Sequence, residues 1–193
     1  MKSFIKNSFN ILCFILVFPF FLIYKIEKIF ITSEQPFQGM SQFFALFPGL
    51  IGNYLRRAFY FLVFNKCSLD CYIGFGTIFS SEKASIGKKV YIGTYCTIGD
   101  VDLGDDILIG SNVDIINGAK QHYIDRIDIP IREQGGEYPK IIIGEDTWIG
   151  NGALVMANVG KKCVIGAASN VTKEIEDYSI AVGNPAKIIH KRI

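Results

Sequence analysis

The chain has 193 residues, enough to bury one substantial core without disulfides. Its formal net charge is only +2 and no Lys/Arg stripe alternates with aromatics, which argues against a nucleic-acid surface. The five cysteines, Cys13, Cys67, Cys71, Cys96 and Cys163, are odd in number and lack the paired spacing of a zinc site, so a reduced, cytoplasmic-facing protein with no metal is expected.

Phenylalanine concentrates before residue 65 and glycine after residue 70, which divides the chain into a hydrophobic, helical region over 1–66 and a second part beyond it. The stretch MKSFIKNSFNILCFILVFPFFLIYKIEKIF puts Lys2 and Lys6 before, and Lys25 and Lys28 after, an uncharged run from Ile11 to Tyr24. A bilayer core asks for roughly 20 apolar residues, so the run is short for a span, and Pro19 predicts a kink. No small-x-small cleavage site follows, which argues against a signal peptide. A second apolar segment, FFALFPGLIGNYLRRAFYFLVF, is broken by Pro48, Gly49 and the pair Arg56–Arg57. Its second half reads as an amphipathic helix, with Leu55, Phe59, Leu62 and Val63 near helical spacing. Two readings stay open. Either the helices fold against the main domain or a neighbouring subunit, or residues 1–64 hold the protein at a membrane surface, expected to be the cytoplasmic face of the inner membrane. Whether this region spans the bilayer, lies on it or avoids it is not decided by the spacing.

Over 67–180 aliphatic residues recur at a fixed interval. Cys67, Ile73 and Phe79 form one set and Ile86, Ile92 and Ile98 the next; then come Leu103, Ile109 and Ile115, Ile143, Ile149 and Val155, and Val159, Ile165 and Val171. Within each set the step is six. A glycine follows most of these positions, as at Gly74, Gly93, Gly110 and Gly150. A second small or apolar residue precedes each by two, as at Cys71, Thr77, Val90, Cys96, Val113, Ala157 and Cys163. Strand side chains two apart face the same way, so both sets point inward. Three short strands with glycine-permitted turns predict one triangular coil of about eighteen residues, stacked about 4.8 Å from the next. The fold expected is mainly β, a parallel β-helix of the hexapeptide type. The inward cysteines are then small core residues, and 181–193 reads as a C-terminal cap.

The ruler stops at Ile115 and resumes in phase at Ile143, so INGAKQHYIDRIDIPIREQGGEYPKIII is an insertion at a corner, an extended loop over 117–140. A long excursion from a compact domain is usually functional or disordered. This one carries His122, one of only two histidines.

The repeat, the stretch TWIGNGALVMANVGKKCVIGAASNVTKEI and the ending SIAVGNPAKII together resemble the left-handed β-helix hexapeptide acyltransferases, which include the galactoside, maltose, xenobiotic and serine O-acetyltransferases. The loop stretch PIREQGGE is similar to one in the cell-surface polysaccharide acetyltransferases of that group. The resemblance covers Cys67 to the carboxyl terminus and supplies the hand of the helix, because crossovers are ordinarily right-handed. It implies a homotrimer that transfers an acetyl group from acetyl-CoA, without a metal, to the sugar hydroxyl of a saccharide acceptor in capsule, exopolysaccharide or O-antigen synthesis.

Transfer from a thioester to a hydroxyl needs a base, donors for the oxyanion and a groove for the carrier. His122 is the candidate base, since an unperturbed imidazole titrates at about 6.5 and keeps a substantial neutral fraction at neutral pH. In the resembled family the catalytic histidine lies just after a loop-opening glycine, whereas GAKQH separates Gly118 from His122. The resemblance places the backbone N–H of Asn151 at the oxyanion and backbone groups of Ala167 and the Thr172–Lys173 pair beside the pantetheine arm. Lys187, with the basic end HKR, would face the nucleotide phosphates. Trp148, between inward Thr147 and Ile149, is expected to point outward beneath a cofactor or an adjoining subunit. Asp100 and Asp102, near the corner before the loop-bearing coil, are candidates for acceptor binding.

Three rivals are weighed. Carbonic anhydrases on this fold bind zinc with three histidines, and this chain has only His122 and His190. A non-catalytic β-helix scaffold would account for the ruler but not for a histidine-bearing interruption. An N-acyltransferase on a nucleotide-linked amino sugar would be expected to carry an extra nucleotide-binding segment, whereas this amino-terminal region is apolar.

Overall fold

The six-residue ruler folds as its spacing predicts. In the computed structural model, which describes residues 2–193 and leaves Met1 of the apolar region outside the description, the repeat winds into a solenoid of about six coils with three parallel faces. The first face stacks Lys66–Cys67, Ser85–Ile86, Val101–Leu103 and Ile141–Ile143, and single bridges at Val159 and Ile175 carry it onward. The second face runs from Tyr72–Ile73 through Tyr91–Ile92, Leu108–Ile109, Trp148–Ile149 and Val164–Ile165 to Ser179–Val182. The third stacks Ile78–Phe79, Thr97–Ile98, Asp114–Ile115, Leu154–Val155 and Asn170–Val171. Pairing is in register, ruler residue on ruler residue: Ile73 on Ile92, Ile92 on Ile109, Ile109 on Ile149 and Ile149 on Ile165. These residues and their inward partners are buried, with Ala157 half-buried, and so form one aliphatic column. The ruler continues one partial coil further, through Ile175 and Ala181. The second face therefore runs past residue 180, and only Lys187–Lys191 closes the end, antiparallel to Ser179–Val182.

The corners work differently from the expected glycine-permitted turns. Left-handed backbone falls not on the glycine after each ruler residue but two residues later, at φ of 54–59° on Lys89, Tyr95, Asp106 and Asn112, and likewise on their equivalents. The glycines serve close stacking instead: a Cβ at Gly74 would lie 2.3 Å from the carbonyl oxygen of Gly93, and one at Gly93 2.6 Å from the carbonyl carbon of Gly110.

Three helices precede the coils: α1, Lys2–Phe30; α2, Gln35–Ala45; and α3, Gly49–Val63. The break between α2 and α3 falls at Phe47–Pro48, as Pro48 and Gly49 predict. The pair Arg56–Arg57 does not break the segment; α3 runs through both, and both are buried. The reason lies in the first coil, which has no coil beneath it and so presents unpaired backbone groups that need partners. Arg56 Nε donates to Ile73 O at 3.0 Å, and Arg57 Nη1 to Cys71 O at 3.3 Å. Asn53 Oδ1 accepts from Ile73 N at 2.9 Å and Ser41 Oγ from Phe79 N at 2.8 Å, while Gln38 Nε2 donates to Ser80 O at 3.1 Å. The outer side of α3 is covered by α1, whose Cys13, Val17 and Tyr24 are buried. The apolar run expected to be short belongs to a longer helix that passes Pro19 without interruption; over Lys6–Phe30 it is long and apolar enough to cross a membrane by length and composition.

Candidate active site

The loop leaves the third face after Ile115 and returns to the first face at Ile141, so it springs from the third–first edge of the prism. Asn117 clamps its base: Nδ2 donates to Asp100 O at 2.7 Å and Pro139 O at 2.9 Å, and Oδ1 accepts from Asp100 N at 2.9 Å. The two legs then run side by side, with Glu137 N donating to Lys120 O and Tyr123 N to Gly135 O, both at 2.9 Å. His122 lies between these rungs. Gly136 makes the approach possible, because a Cβ there would lie 1.9 Å from Gln121 O. The His122 ring is exposed and meets the edge of Tyr138 at 6.5 Å between centroids; among the described residues it makes no hydrogen bond. Further out, Gln134 ties the tip by bonds with Arg126 N at 3.1 Å and Arg126 O at 2.6 Å.

Asp100 and Asp102 both pair with Lys140. Lys140 Nζ lies 3.2 Å from Asp100 and 3.1 Å from Asp102, and donates to Lys83 O at 2.9 Å. Partial burial would lower the Lys140 pKa, but the two carboxylates outweigh it and hold the ammonium above its usual value. Both acids thus anchor the returning leg.

A second constellation lies on the second–third edge. Here two of the residues that follow a ruler glycine, Thr94 and Ser111, offer their N–H upward to a side-chain oxygen of the next coil. Ser111 Oγ accepts from Thr94 N at 3.2 Å, and Asn151 Oδ1 from Ser111 N at 3.0 Å. The residue above Asn151 is Ala167, which has no side-chain acceptor. Among the described residues neither the Asn151 N–H nor the Ala167 N–H makes a hydrogen bond. An unpaired N–H on a rigid corner is the type of donor that an oxyanion requires. Lys187 is exposed and paired in register with Val182, at the upper end of the same edge, while Trp148 stands outward on the second face, 54% exposed, and leads into that edge.

The remaining candidates lie elsewhere. Thr172 and Lys173 follow Asn170–Val171 and so share the loop's edge, not that of Asn151. The basic end HKR does not point at the site as a group. Lys191 pairs with Glu176 at 2.8 Å, and Arg192 folds onto Asp146 and the Lys162 carbonyl at 3.7 and 3.0 Å. Within one chain, therefore, His122 and the Asn151 donor occupy different edges of the prism, and among the described residues no hydrogen bond links 118–139 to the Asn151 edge. Gly136, Tyr138, Asn117 and Lys140 were not singled out by sequence; the Gly135–Gly136 pair was the available signal that two backbones meet there.

The model for the hexapeptide repeat of succinyl-transferase matches residues 83–115 and 140–173. The chain carries the hexapeptide repeat that this model describes. The two matched segments of this hexapeptide-repeat protein stop on either side of the loop, so Asn151, Ala167 and Trp148 fall within the match and His122 outside it. A probable acetyltransferase from Mycobacterium tuberculosis is 36% identical over 119 residues, which covers 61% of this chain and 38% of that protein. A galactoside O-acetyltransferase from Lactococcus lactis is 30% identical over 137 residues, 67% of this chain and 64% of the relative. The chain thus spans about half the length of the curated relatives it matches, 38% and 64% of these two. Among solved structures, a galactoside acetyltransferase in complex with coenzyme A superimposes with a TM-score of 0.68 at 24% identity, covering 83% of this chain and 81% of that one, and shows the fold.

Proposed function

We propose that this hexapeptide-repeat protein is an acetyl-CoA-dependent O-acetyltransferase that modifies a sugar hydroxyl in cell-surface polysaccharide synthesis. The observation that carries the reading is the uncapped N–H of Asn151, directly above the capped N–H groups of Thr94 and Ser111. A ring nitrogen of His122 takes the hydroxyl proton as the oxygen attacks the thioester carbonyl. The Asn151 N–H holds the resulting oxyanion, the C–S bond breaks, and the imidazolium returns the proton to the departing thiolate, leaving ester and free thiol. Ala167 and Lys187, stacked above Asn151 on the same edge, suit the pantetheine arm and the phosphates of the carrier. Because base and donor occupy different edges of one chain, the reading calls for a homotrimer in which the loop of one protomer reaches the Asn151 edge of its partner. The apolar amino-terminal region suits a place at the cytoplasmic face of the inner membrane, near a lipid-linked or membrane-proximal glycan.

The test is thiol release from acetyl-CoA against a panel of saccharides, amino sugars included, beside His122→Ala. The variant is expected to lose about 10²–10⁴ in kcat, the usual contribution of a general base. Undiminished turnover would remove His122 from the role, and transfer to an amine alone would replace the O-acetyl reading with an N-acyl one.

A further inference from the structure

We infer that α1 lies flat in the head-group layer of an anionic bilayer and does not cross it. This rests on the membrane location proposed above and adds its geometry. The outward stripe of α1 is apolar where a surface helix normally turns polar residues to water. Between Ile11 and Ile23 every exposed position is apolar, Ile11, Ile15, Phe18 and Leu22 among them, with Ile15 64% exposed. The patch is wider than the helix. Phe43 of α2 stacks on Phe20 at 5.0 Å on one flank, Phe61 of α3 meets Phe14 at 5.4 Å on the other, and both rings are partly exposed. Exposed Lys6 precedes the stripe and exposed Lys25 follows it, against a single acid in the helix, Glu27, while Lys28 is engaged by Glu82 on the inner side. Cations at both ends of a broad apolar strip complement an anionic lipid surface.

The inner stripe shows why the helix does not cross. Asn10 Oδ1 accepts from Arg57 Nη2 at 3.0 Å, Phe9 meets Tyr54 at 4.7 Å, Tyr24 packs on Phe59 at 6.1 Å and Lys28 pairs with Glu82 at 3.0 Å. These ties run along the helix from Phe9 to Lys28. A bilayer-normal α1 would therefore carry α3 and the polar corner of the first coil, Lys66, Ser68 and Asp70, into hydrocarbon, where unpaired backbone groups are not tolerated. Only the outward half is free to meet lipid, at the depth of an in-plane amphipathic helix.

The purified 193-residue chain is to be floated with phosphatidylglycerol/phosphatidylethanolamine vesicles and with phosphatidylcholine alone. An Ile15→Trp reporter, made in a Trp148→Phe background, reads depth by quenching with lipids brominated near the head group or near the chain end. Flotation with the anionic vesicles, weakened by salt, is expected, with stronger quenching by the shallow bromines. Ile15→Glu should float about tenfold less protein at an unchanged melting temperature. Strongest quenching by the deep bromines would overturn the flat seating and leave the location intact. No flotation, with a monodisperse detergent-free oligomer, would overturn both and assign the patch to a second copy.

Discussion

Ala167 lacks the side-chain oxygen that Ser111 and Asn151 carry beneath it, and its absence leaves the Asn151 N–H free. Ala167→Ser restores a hydroxyl where Ser111 already caps Thr94 at 3.2 Å, so it is expected to cap the Asn151 N–H in turn. Removing one oxyanion donor costs about 10²–10³ in kcat, with the fold intact or slightly stabilised by the added hydrogen bond. Steady-state kinetics with thermal melting reads both, and an unaltered kcat would show that this N–H does not serve the reaction. At this scale the site is only partly legible in sequence. His122 stands out by scarcity and Asn151 through its position after WIG. The cap column appears only once Ser111 and Asn151 are stacked across the long insertion between them. Tyr138 and Gly136 reach His122 from the other leg of the loop, and no local spacing announces a contact of that kind. Asp100 and Asp102 look available in sequence because Lys140, which takes them both, lies on the far side of the same insertion.

Among the elements, the corners separate two uses of glycine that look alike in the sequence. Gly93 has no room for a side chain, whereas Gly152 has open space around it and a φ of 67°. Gly93→Ala must push coils apart and is expected to cost about 1–3 kcal/mol, the usual penalty of overpacking. Gly152→Ala meets only the left-handed backbone penalty of about 1 kcal/mol. Urea denaturation of the two variants gives the order, and the reverse order would refute the stacking role. The coils are legible because an inward side chain recurs every six residues and burial enforces that period. Most of the left-handed residues are not, since Lys89, Tyr95, Lys162 and Tyr178 carry no compositional mark of the backbone they adopt. The Arg56–Arg57 pair misleads for a related reason: two charges in an apolar run look like a break unless carbonyls are waiting for them, and those carbonyls belong to a later part of the chain.

Across the whole molecule, Glu82 joins the amino-terminal helices to the solenoid, its carboxylate accepting from the Tyr24 hydroxyl and pairing with Lys28 at 3.0 Å. Partial burial by itself would raise its pKa, but the Tyr24 and Lys28 partners outweigh that and hold it below the usual carboxylate range. A depressed folded pKa means that the tie contributes fully above the unfolded value of about 4.3 and is lost as pH falls through the folded one. Hydrogen exchange is expected to show α1 loosening below about pH 4, and Glu82→Gln to loosen it already at neutral pH; an α1 protected equally in both proteins would refute the linkage. The helices have one more consequence. The first coil ends in open strand edges at the repeat spacing of the stack above, and on its second and third faces the side chains of Gln38, Ser41, Asn53, Arg56 and Arg57 occupy those edges. Stripped of them, the solenoid would be a ready template on which another chain's strands add end to end. The amino-terminal helices thus also terminate a polymer, keeping a self-similar rod at a finite length.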